Sequence, residues 1–199
     1  SQVFDAGVFE ATFDPDNDGI DSNATGLAIA HDGSFWVSDA AGNWVANVSS
    51  SGDILSLTTF SQVDGEDAVP TGIAVNQAGE VFVALFNCPS APDQSGGIAR
   101  INANGTYDIV ASGLSQPIDV VFDPAGRMLV LEFSTNYLPN SGRLLAIDQT
   151  GMQSQIASEL QFPTGFALDR DHVVWITGIS SPQGGPAGSG TLSRYVLDE

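Results

Sequence analysis

The strongest sign of chemistry in the sequence is a run of acidic residues between positions 14 and 21. It reads Asp-Pro-Asp-Asn-Asp-Gly-Ile-Asp, with carboxylates at alternate places and a glycine in sixth position. This spacing lets a chain wrap a hard cation, so the run predicts a calcium site. The expected ligands are the carboxylates of Asp14, Asp16, Asp18 and Asp21 and the carbonyl of Ile20.

Two features separate this run from the helix-flanked calcium loop. A bidentate glutamate is expected at the twelfth position, where Thr25 stands instead, and no helical pattern flanks the run. A solvated, Asp-rich connection into the first repeat is therefore the alternative interpretation.

Outside this acidic run, the sequence is built from a repeat of about 46 residues, and this repeat must position the remaining polar side chains. Two short apolar strands around a tight turn recur four times, and the matched positions are Gly26, Gly72, Asp119 and Gly165, separated by 46, 47 and 46 residues. Seven residues later come Gly33, Gly79, Gly126 and His172. A period in the mid-forties that carries several short strands is typical of β-propeller blades. No segment shows a helical apolar period, so the sequence predicts an all-β protein.

The repeat predicts one propeller domain over residues 1–199, with four blades of four antiparallel strands at about 23–62, 69–113, 116–158 and 162–199. The fourth blade lacks its outer strand, while residues 1–10 supply a strand without a blade. The opening letters SQVFDAG also resemble SQIASEL at positions 154–160, the outer strand of the third blade. We therefore expect Gln2 to Val8 to pair with Thr191 to Leu197 and close the ring.

The composition limits the partners. The chain has 24 acidic residues against five basic ones, a net charge of −19. Nucleic acid and anionic membrane surfaces need cationic protein surface, so neither is an expected partner. No apolar run is long enough to insert into a membrane. Cys88 is the single cysteine, so there is no internal disulfide framework.

Several features predict an extracellular or secreted protein. The chain begins at Ser1 without methionine, as expected for a mature chain after removal of a targeting signal, although an excised fragment would look the same. Asn-X-Ser/Thr acceptor sites for glycans begin at Asn23, Asn47 and Asn104, all in predicted turns or strand ends. We therefore expect glycosylation at these three residues.

The repeated unit resembles a known group of propellers. Pro70 to Val75 (PTGIAV), Pro163 to Leu168 (PTGFAL) and Ala24 to Asp39 are similar to units of the NHL-repeat and regucalcin/gluconolactonase-like propellers, and most closely to the scytonemin-biosynthesis ScyD/ScyE-type proteins. The resemblance covers essentially the whole chain. It is specific for fold and weak for function, because one fold carries many functions. Those families usually have six blades, whereas four units are found in this chain.

In the lactonase-like members, an acidic and amide cluster at the channel mouth holds a divalent metal. The resemblance implies that Asp39 and Glu132, which end two equivalent strands, could hold such a metal, and that the metal could polarise a carbonyl or activate water. Leu85 and Thr177 occupy the other two equivalent positions. The alternative interpretation is that these polar residues simply cap strand ends.

The remaining reactive residues form no recognisable catalytic set. His31 and His172 lie in turns predicted on the opposite face from Asp39 and Glu132, outside the hydrogen-bond reach that general catalysis needs. Cys88 has no histidine close in sequence, so an inert thiol is expected.

Two functions therefore compete. The first is a non-catalytic binding or structural propeller that self-associates through its terminal strand or through the b-to-c loop face, into an oligomer or an extracellular filament. The second is a metal-dependent lactonase or lyase. An enzyme should bring three or more ligands to the channel mouth and the sequence offers two, so the first function is favoured.

Overall fold

The computed structural model describes residues 2–61, 66–88, 93–135, 137–179 and 190–197. Within these ranges the chain forms one helix, α1 (Ala6–Phe13), and fifteen strands. The strands are β1 (Ala24–Ile29), β2 (Phe35–Asp39), β3 (Trp44–Val48), β4 (Ile54–Thr59), β5 (Pro70–Val75), β6 (Val81–Leu85), β7 (Gly96–Ile101), β8 (Tyr107–Leu114), β9 (Pro117–Phe122), β10 (Met128–Glu132), β11 (Gly142–Ile147), β12 (Gln153–Leu160), β13 (Pro163–Leu168), β14 (Val173–Gly178) and β15 (Thr191–Val196).

The strands form four antiparallel sheets, one for each sequence repeat. Blade 1 contains β1 to β4, blade 2 contains β5 to β8, blade 3 contains β9 to β12, and blade 4 contains β13 to β15. Each sheet pairs its strands in chain order. The predicted all-β, four-bladed propeller architecture is confirmed.

The tight turns between the first two strands of each blade explain the conserved spacing within the repeat. Gly33, Gly79 and Gly126 have φ angles of 85°, 81° and 81°, in the left-handed region that glycine enters without steric cost. His172 takes the fourth copy of this position with a φ of 58°. The backbone geometry of the turn is therefore kept even where the glycine is lost.

Alternating apolar residues on the two faces of each sheet hold neighbouring blades together. One core cluster joins blades 1 and 2, a second joins blades 2 and 3, and a third joins blades 3 and 4. Val45 and Val83, Val120 and Ala84, and Leu129 and Val174 are fully buried pairs from these three clusters respectively. The blades therefore pack face to face as a curved stack.

The fourth core cluster has a different composition. Trp44, Ala46 and Val48 of blade 1 pack against Phe4 and Phe9 from the N-terminal segment. Among the described residues, no core cluster joins blade 4 to blade 1. The four blades therefore form an arc with two ends, and the N-terminal helix covers part of one end.

The expected closing strand is the one element that the sequence analysis placed wrongly. Residues 6–13 form helix α1, and blade 4 contains three strands in the described part of the chain, with no strand from residues 2–8 beside β15. Asp5 caps the helix, because its carboxylate accepts a 2.9 Å hydrogen bond from the Val8 backbone N–H. The helix then places Phe9 against Trp44, with ring centroids 5.2 Å apart.

Candidate functional site

The innermost strands of the four blades meet on the inner side of the arc, where residues of β1, β5, β9 and β13 line a cavity of about 380 Å³. We call this space the channel cavity. Its polar lining consists of three threonines, Thr25, Thr71 and Thr164, and one carboxylate, Asp119. The cavity is therefore a candidate binding site for a small ligand.

Asp119 takes the repeat position that is glycine in the other three blades. A Cβ atom placed on the neighbouring Gly72 would lie 2.6 Å from the Asp119 Cα, so β9 comes this close only because position 72 is glycine. The sequence analysis aligned Asp119 with the glycines but did not single it out as a site residue. A carboxylate at a position otherwise held by glycine was the available signal.

The surroundings of Asp119 make its charge unfavourable. Burial raises the pKa of Asp119 to about 6, although hydrogen bonds from the backbone N–H groups of Val120 and Phe166 lower it in part. These two N–H groups lie 2.9 and 3.4 Å from the carboxylate oxygens. A carboxyl group that titrates near pH 6 can exchange protons or bind a cationic group near neutral pH.

The hydroxyl groups around Asp119 tie the blades to one another. Thr71 donates 3.2 Å hydrogen bonds to the backbone oxygens of Ala84 and Pro117. Thr25 makes the equivalent bond from blade 1, to the Pro70 oxygen at 3.3 Å. The channel lining is therefore partly structural, because two of its three hydroxyl groups already have partners in the neighbouring blade.

The two carboxylates predicted for a metal at the channel mouth are fully buried, and each is hydrogen-bonded to the connection that leads into its own blade. Asp39 accepts from the backbone N–H groups of Asn23 at 2.7 Å and Gly42 at 3.0 Å, and also from the Ser22 hydroxyl. These bonds fix the connection into blade 1.

Glu132 has a matching role in blade 3. It accepts from the Ser115 backbone N–H at 2.7 Å and forms a 2.6 Å ion pair with Arg143. Burial raises the pKa of Glu132, while the bonds from Ser115 and Arg143 lower it in part. Both oxygens of each mouth carboxylate have local donors, so a metal at Asp39 and Glu132 stays a prediction.

The acidic run at residues 14–21, which we call the acidic linker, follows directly after helix α1. Asp14 is the C-cap of the helix, with a left-handed φ of 41°. One carboxylate oxygen each of Glu10, Asp14 and Asp16 lies within 4.8 Å of the others. The structure therefore brings together two of the predicted calcium ligands.

The other predicted ligands lie outside this group of three carboxylates. The Asp18 backbone N–H donates to an Asp16 oxygen at 3.2 Å, and Ile20 is exposed. Burial raises the pKa of Asp21, and the negative charge of Asp16 raises it further. The sequence analysis missed Glu10, because that residue belonged to the segment assigned to a strand.

The three glycan acceptor sites differ in accessibility. Asn23 and Asn104 are exposed, and Asn104 already bonds the Thr106 hydroxyl at 2.7 Å. Asn47 lies in the middle of the blade 1 sheet, and its side-chain oxygen is buried. A glycan at Asn23 or Asn104 fits the folded surface, whereas Asn47 offers much less room. Glycosylation itself stays a prediction.

His31 and His172 lie in the turns between β1 and β2 and between β13 and β14, as predicted. Cys88 is half-buried just after β6. Among the residues that the structure describes, no helix is both long enough and apolar enough to cross a membrane.

Comparison with solved structures supports the architecture. A catalytically inactive variant of virginiamycin B lyase from Staphylococcus aureus, solved with quinupristin, matches with a TM-score of 0.61 and 13% identity, over 91% of this chain and 58% of that one. A gluconolactonase from Xanthomonas campestris matches with a TM-score of 0.65 and 16% identity, over 89% of this chain and 59% of that one. A protein of unknown function from Bacteroides caccae matches with a TM-score of 0.63 and 19% identity, over 87% and 63%.

This chain therefore spans about three-fifths of the length of the structures that it resembles. No family model and no curated protein matches its sequence. At identities this low, the likeness shows the fold alone. The chain has the β-propeller fold that the lyase and gluconolactonase-like structures share.

Proposed function

We propose that the chain is a non-catalytic propeller that binds and assembles with further copies of itself through the two blade faces at the ends of the arc. The main observation behind this proposal is that the side chain of Leu27 in blade 1 is 67% exposed. The residues at the equivalent position of blades 2 and 3, Ile73 and Val120, are 7% and 0% exposed. In blades 2 and 3 this position packs against the preceding blade. In blade 1 it has no such neighbour among the described residues.

Blade 4 presents the opposite face. Trp175, Leu192 and Val196 are 38%, 66% and 57% exposed on the side that faces away from blade 3. At the position of Trp175, blade 3 has Leu129, which is 0% exposed because it packs against blade 4. Apolar surface of this kind favours association.

The two exposed faces correspond to the two sides of the blade-to-blade contacts inside the chain. Within the chain, the forward face of each blade packs on the rear face of the next one, and blades 4 and 1 carry the unused copies of these faces. A contact between blade 4 of one copy and blade 1 of another is therefore head-to-tail. Such a contact produces a closed ring or an open filament, depending on its rotation. Helix α1 limits this contact to the inner part of blade 1, where Leu27 and Ile29 are exposed.

The test is to measure association of the purified chain by sedimentation velocity, with two face variants. We expect Leu192→Asp and Leu27→Asp each to weaken association by about tenfold or more, because a charge is costly in an apolar contact. Ile109→Asp is the matched control. Ile109 is 51% exposed on the outer strand of blade 2, away from both ends, so this variant should associate like the original chain.

Mixing the two face variants tests the geometry. Each variant retains one intact face. If the contact is head-to-tail, the mixture should therefore form dimers at lower concentration than either variant does alone. A contact between two identical blade 4 faces allows no such rescue. A chain that stays monomeric at high concentration contradicts the proposal.

We also propose an extracellular location, glycans at Asn23 and Asn104, and a place near the ScyD/ScyE-type propellers. The net charge of −19 and the exposure of both acceptor sites support the location and the glycans. The match between the sequence repeat and the four blades supports the relationship. Mass spectrometry of native material detects the glycans, and comparison of the cellular and extracellular fractions tests the location.

A metal-dependent lactonase or lyase is the second candidate function. One observation favours it: Asp119 is a carboxyl group with a pKa of about 6 inside the channel cavity, a property common at active sites. Against it, the described residues bring no second ionisable group to line that cavity. Metal-dependent lactone turnover that is lost in Asp119→Asn, in a strictly monomeric protein, would favour the enzyme over the assembly module.

A further inference from the structure

Glu10 is the fully buried residue of helix α1, although it carries a carboxylate. The indole N–H of Trp44 donates a 2.7 Å hydrogen bond to its Oε2. Its Oε1 is also buried and has no hydrogen-bond partner among the described residues. A buried carboxylate is costly unless its oxygens are paired, so Oε1 needs a compensating partner that the described residues do not supply.

Two further carboxylates lie close to the Glu10 carboxylate. Oxygens of Asp14 and Asp16 lie within 4.8 Å of each other and of a Glu10 oxygen. The backbone N–H of Asp14 donates to the Glu10 backbone oxygen at 2.9 Å, and its left-handed conformation reverses the chain after the helix. This reversal returns Asp16 to the side of Glu10. Three negative groups are thus held together by the fold.

The ion pairs among the described residues all lie away from Glu10, Asp14 and Asp16. Arg100 pairs with Glu80 and Asp108, Arg127 with Asp123, and Arg143 with Glu132. The carboxylates of Asp14 and Asp16 instead receive neutral donors, the Gly19 backbone N–H and the Asn43 side-chain amide. These bonds leave the net negative charge of the group uncompensated.

We propose that Glu10, Asp14 and Asp16 bind a calcium ion that holds helix α1 on blade 1. All three ligands are carboxylate oxygens, which suit a hard divalent cation, and the set contains no histidine or cysteine of the kind that zinc prefers. The ligands come from a helix end and an irregular linker. Calcium tolerates such irregular coordination better than magnesium does.

The ion would connect three parts of the molecule. Glu10 belongs to the helix, and Asp16 belongs to the linker. The Asn43 amide that donates to Asp16 at 3.1 Å also accepts a 3.1 Å bond from the Val69 backbone N–H, at the start of blade 2. Binding at this point therefore stabilises the helix, the linker and the junction between blades 1 and 2 together.

The experiment titrates calcium into the chelator-treated full chain, with calorimetry for affinity and thermal unfolding for stability. We expect calcium to raise the melting temperature. Glu10→Gln and Asp16→Asn should each weaken calcium binding by about tenfold or more, because each removes a charged ligand. Asp18→Asn is the matched control, since Asp18 is acidic and adjacent but lies outside the group, and its affinity should stay within about twofold of the original.

The Glu10→Gln variant also distinguishes between two roles of Glu10, as a calcium ligand and as a purely structural residue. Without calcium at pH 8 it should melt at a higher temperature than the original chain, since it removes an unpaired buried charge. With saturating calcium this order should reverse. If Glu10 serves only to accept the Trp44 bond, the order is the same with and without calcium. Unchanged melting with added calcium, or equal losses of affinity in Asp18→Asn and Asp16→Asn, would overturn the proposal.

Discussion

Asp119 and Glu10 are both carboxylates held away from water, but the surrounding residues offer them different compensation. Asp119 receives two backbone N–H donors, and it stands apart from other acidic groups in its cavity. Glu10 has one donor for two oxygens and lies beside other negative charges. Burial raises the pKa of both carboxyl groups, and the negative charges of Asp16 and Asp14 raise that of Glu10 further. A cation beside Glu10 would therefore relieve a repulsion that Asp119 does not experience.

The raised pKa of Asp119 makes stability depend on pH in a definite direction. The unfolded group titrates near 3.8 and the folded group near 6, so the folded chain holds more protons between these values. The contribution of the Asp119 carboxyl group to the free energy of unfolding is therefore fully present below about pH 4, and it is lost as the pH rises through 6. We expect Asp119→Asn to become more stable relative to the original chain by up to about 3 kcal/mol between pH 4 and pH 7.5.

Chemical denaturation at a series of pH values measures this difference. Asp171→Asn is the control, because Asp171 is an exposed turn residue outside the channel. Its stability relative to the original chain should vary little over the same range. A constant difference for Asp119→Asn would mean that the Asp119 carboxyl group titrates alike in the folded and unfolded chain.

At the scale of elements, the N-terminal segment shows why local sequence misled the prediction. Val3, Phe4, Val8 and Phe9 are β-branched or aromatic residues, which favour strands. The competing signal was Asp5, a preferred N-cap residue followed by alanine and glutamate within the next turns. The helix prevails because it places Phe4 and Phe9 against Trp44, a contact between segments that local sequence does not reveal.

Phe9→Ala tests whether this packing holds the helix. Phe9 lies between Phe4, Phe13 and Trp44, with ring centroids 5.8, 5.1 and 5.2 Å away. Because Phe9 is half-buried, we expect a loss of about 2 kcal/mol in the free energy of unfolding and faster amide exchange in residues 6–13.

Phe13→Ala makes the same chemical change at a residue that is 67% exposed. It should cost less than about 0.5 kcal/mol. Hydrogen exchange followed by mass spectrometry, together with denaturation, compares the two variants. Equal effects would show that helix propensity, rather than contact with Trp44, stabilises the element.

The fifteen strands were predictable because three independent signals agree. Apolar runs of the right length, turn glycines such as Gly33 and the repeat spacing all indicate the same boundaries, within a few residues. The site was less predictable. Asp14 and Asp16 were recognised from spacing, whereas Glu10 joins them only because the chain reverses at Asp14. Ligands brought together by a fold leave no fixed spacing in the sequence.

At the scale of the whole molecule, two opposing forces govern association. The apolar faces of blades 1 and 4 favour contact, while a net charge of −19 on every copy opposes it. Because surface charge is screened within about 10 Å at 0.1 M salt and about 3 Å at 1 M, the balance depends on ionic strength.

We therefore expect the concentration needed for half-maximal association to fall by about tenfold between 0.05 and 0.5 M sodium chloride. Light scattering across a dilution series measures it. Sodium chloride is preferred to sulfate, since sulfate strengthens apolar burial directly. The Leu192→Asp variant should show little gain with salt. Association that weakens with salt would indicate that charge pairs, rather than apolar faces, join the copies.

The open arc has a consequence for how the molecule unfolds. Each core cluster joins only neighbouring blades, so the chain is a linear array with nearest-neighbour coupling, as in repeat proteins. In such an array the repeats at the two ends unfold before those in the middle, because each end repeat has a neighbour on one side only. Blade 1 has helix α1 over its outer face, while the described part of blade 4 has three strands and an uncovered face. Unfolding should therefore begin at blade 4 and advance toward blade 1, with amide protection graded along the sequence.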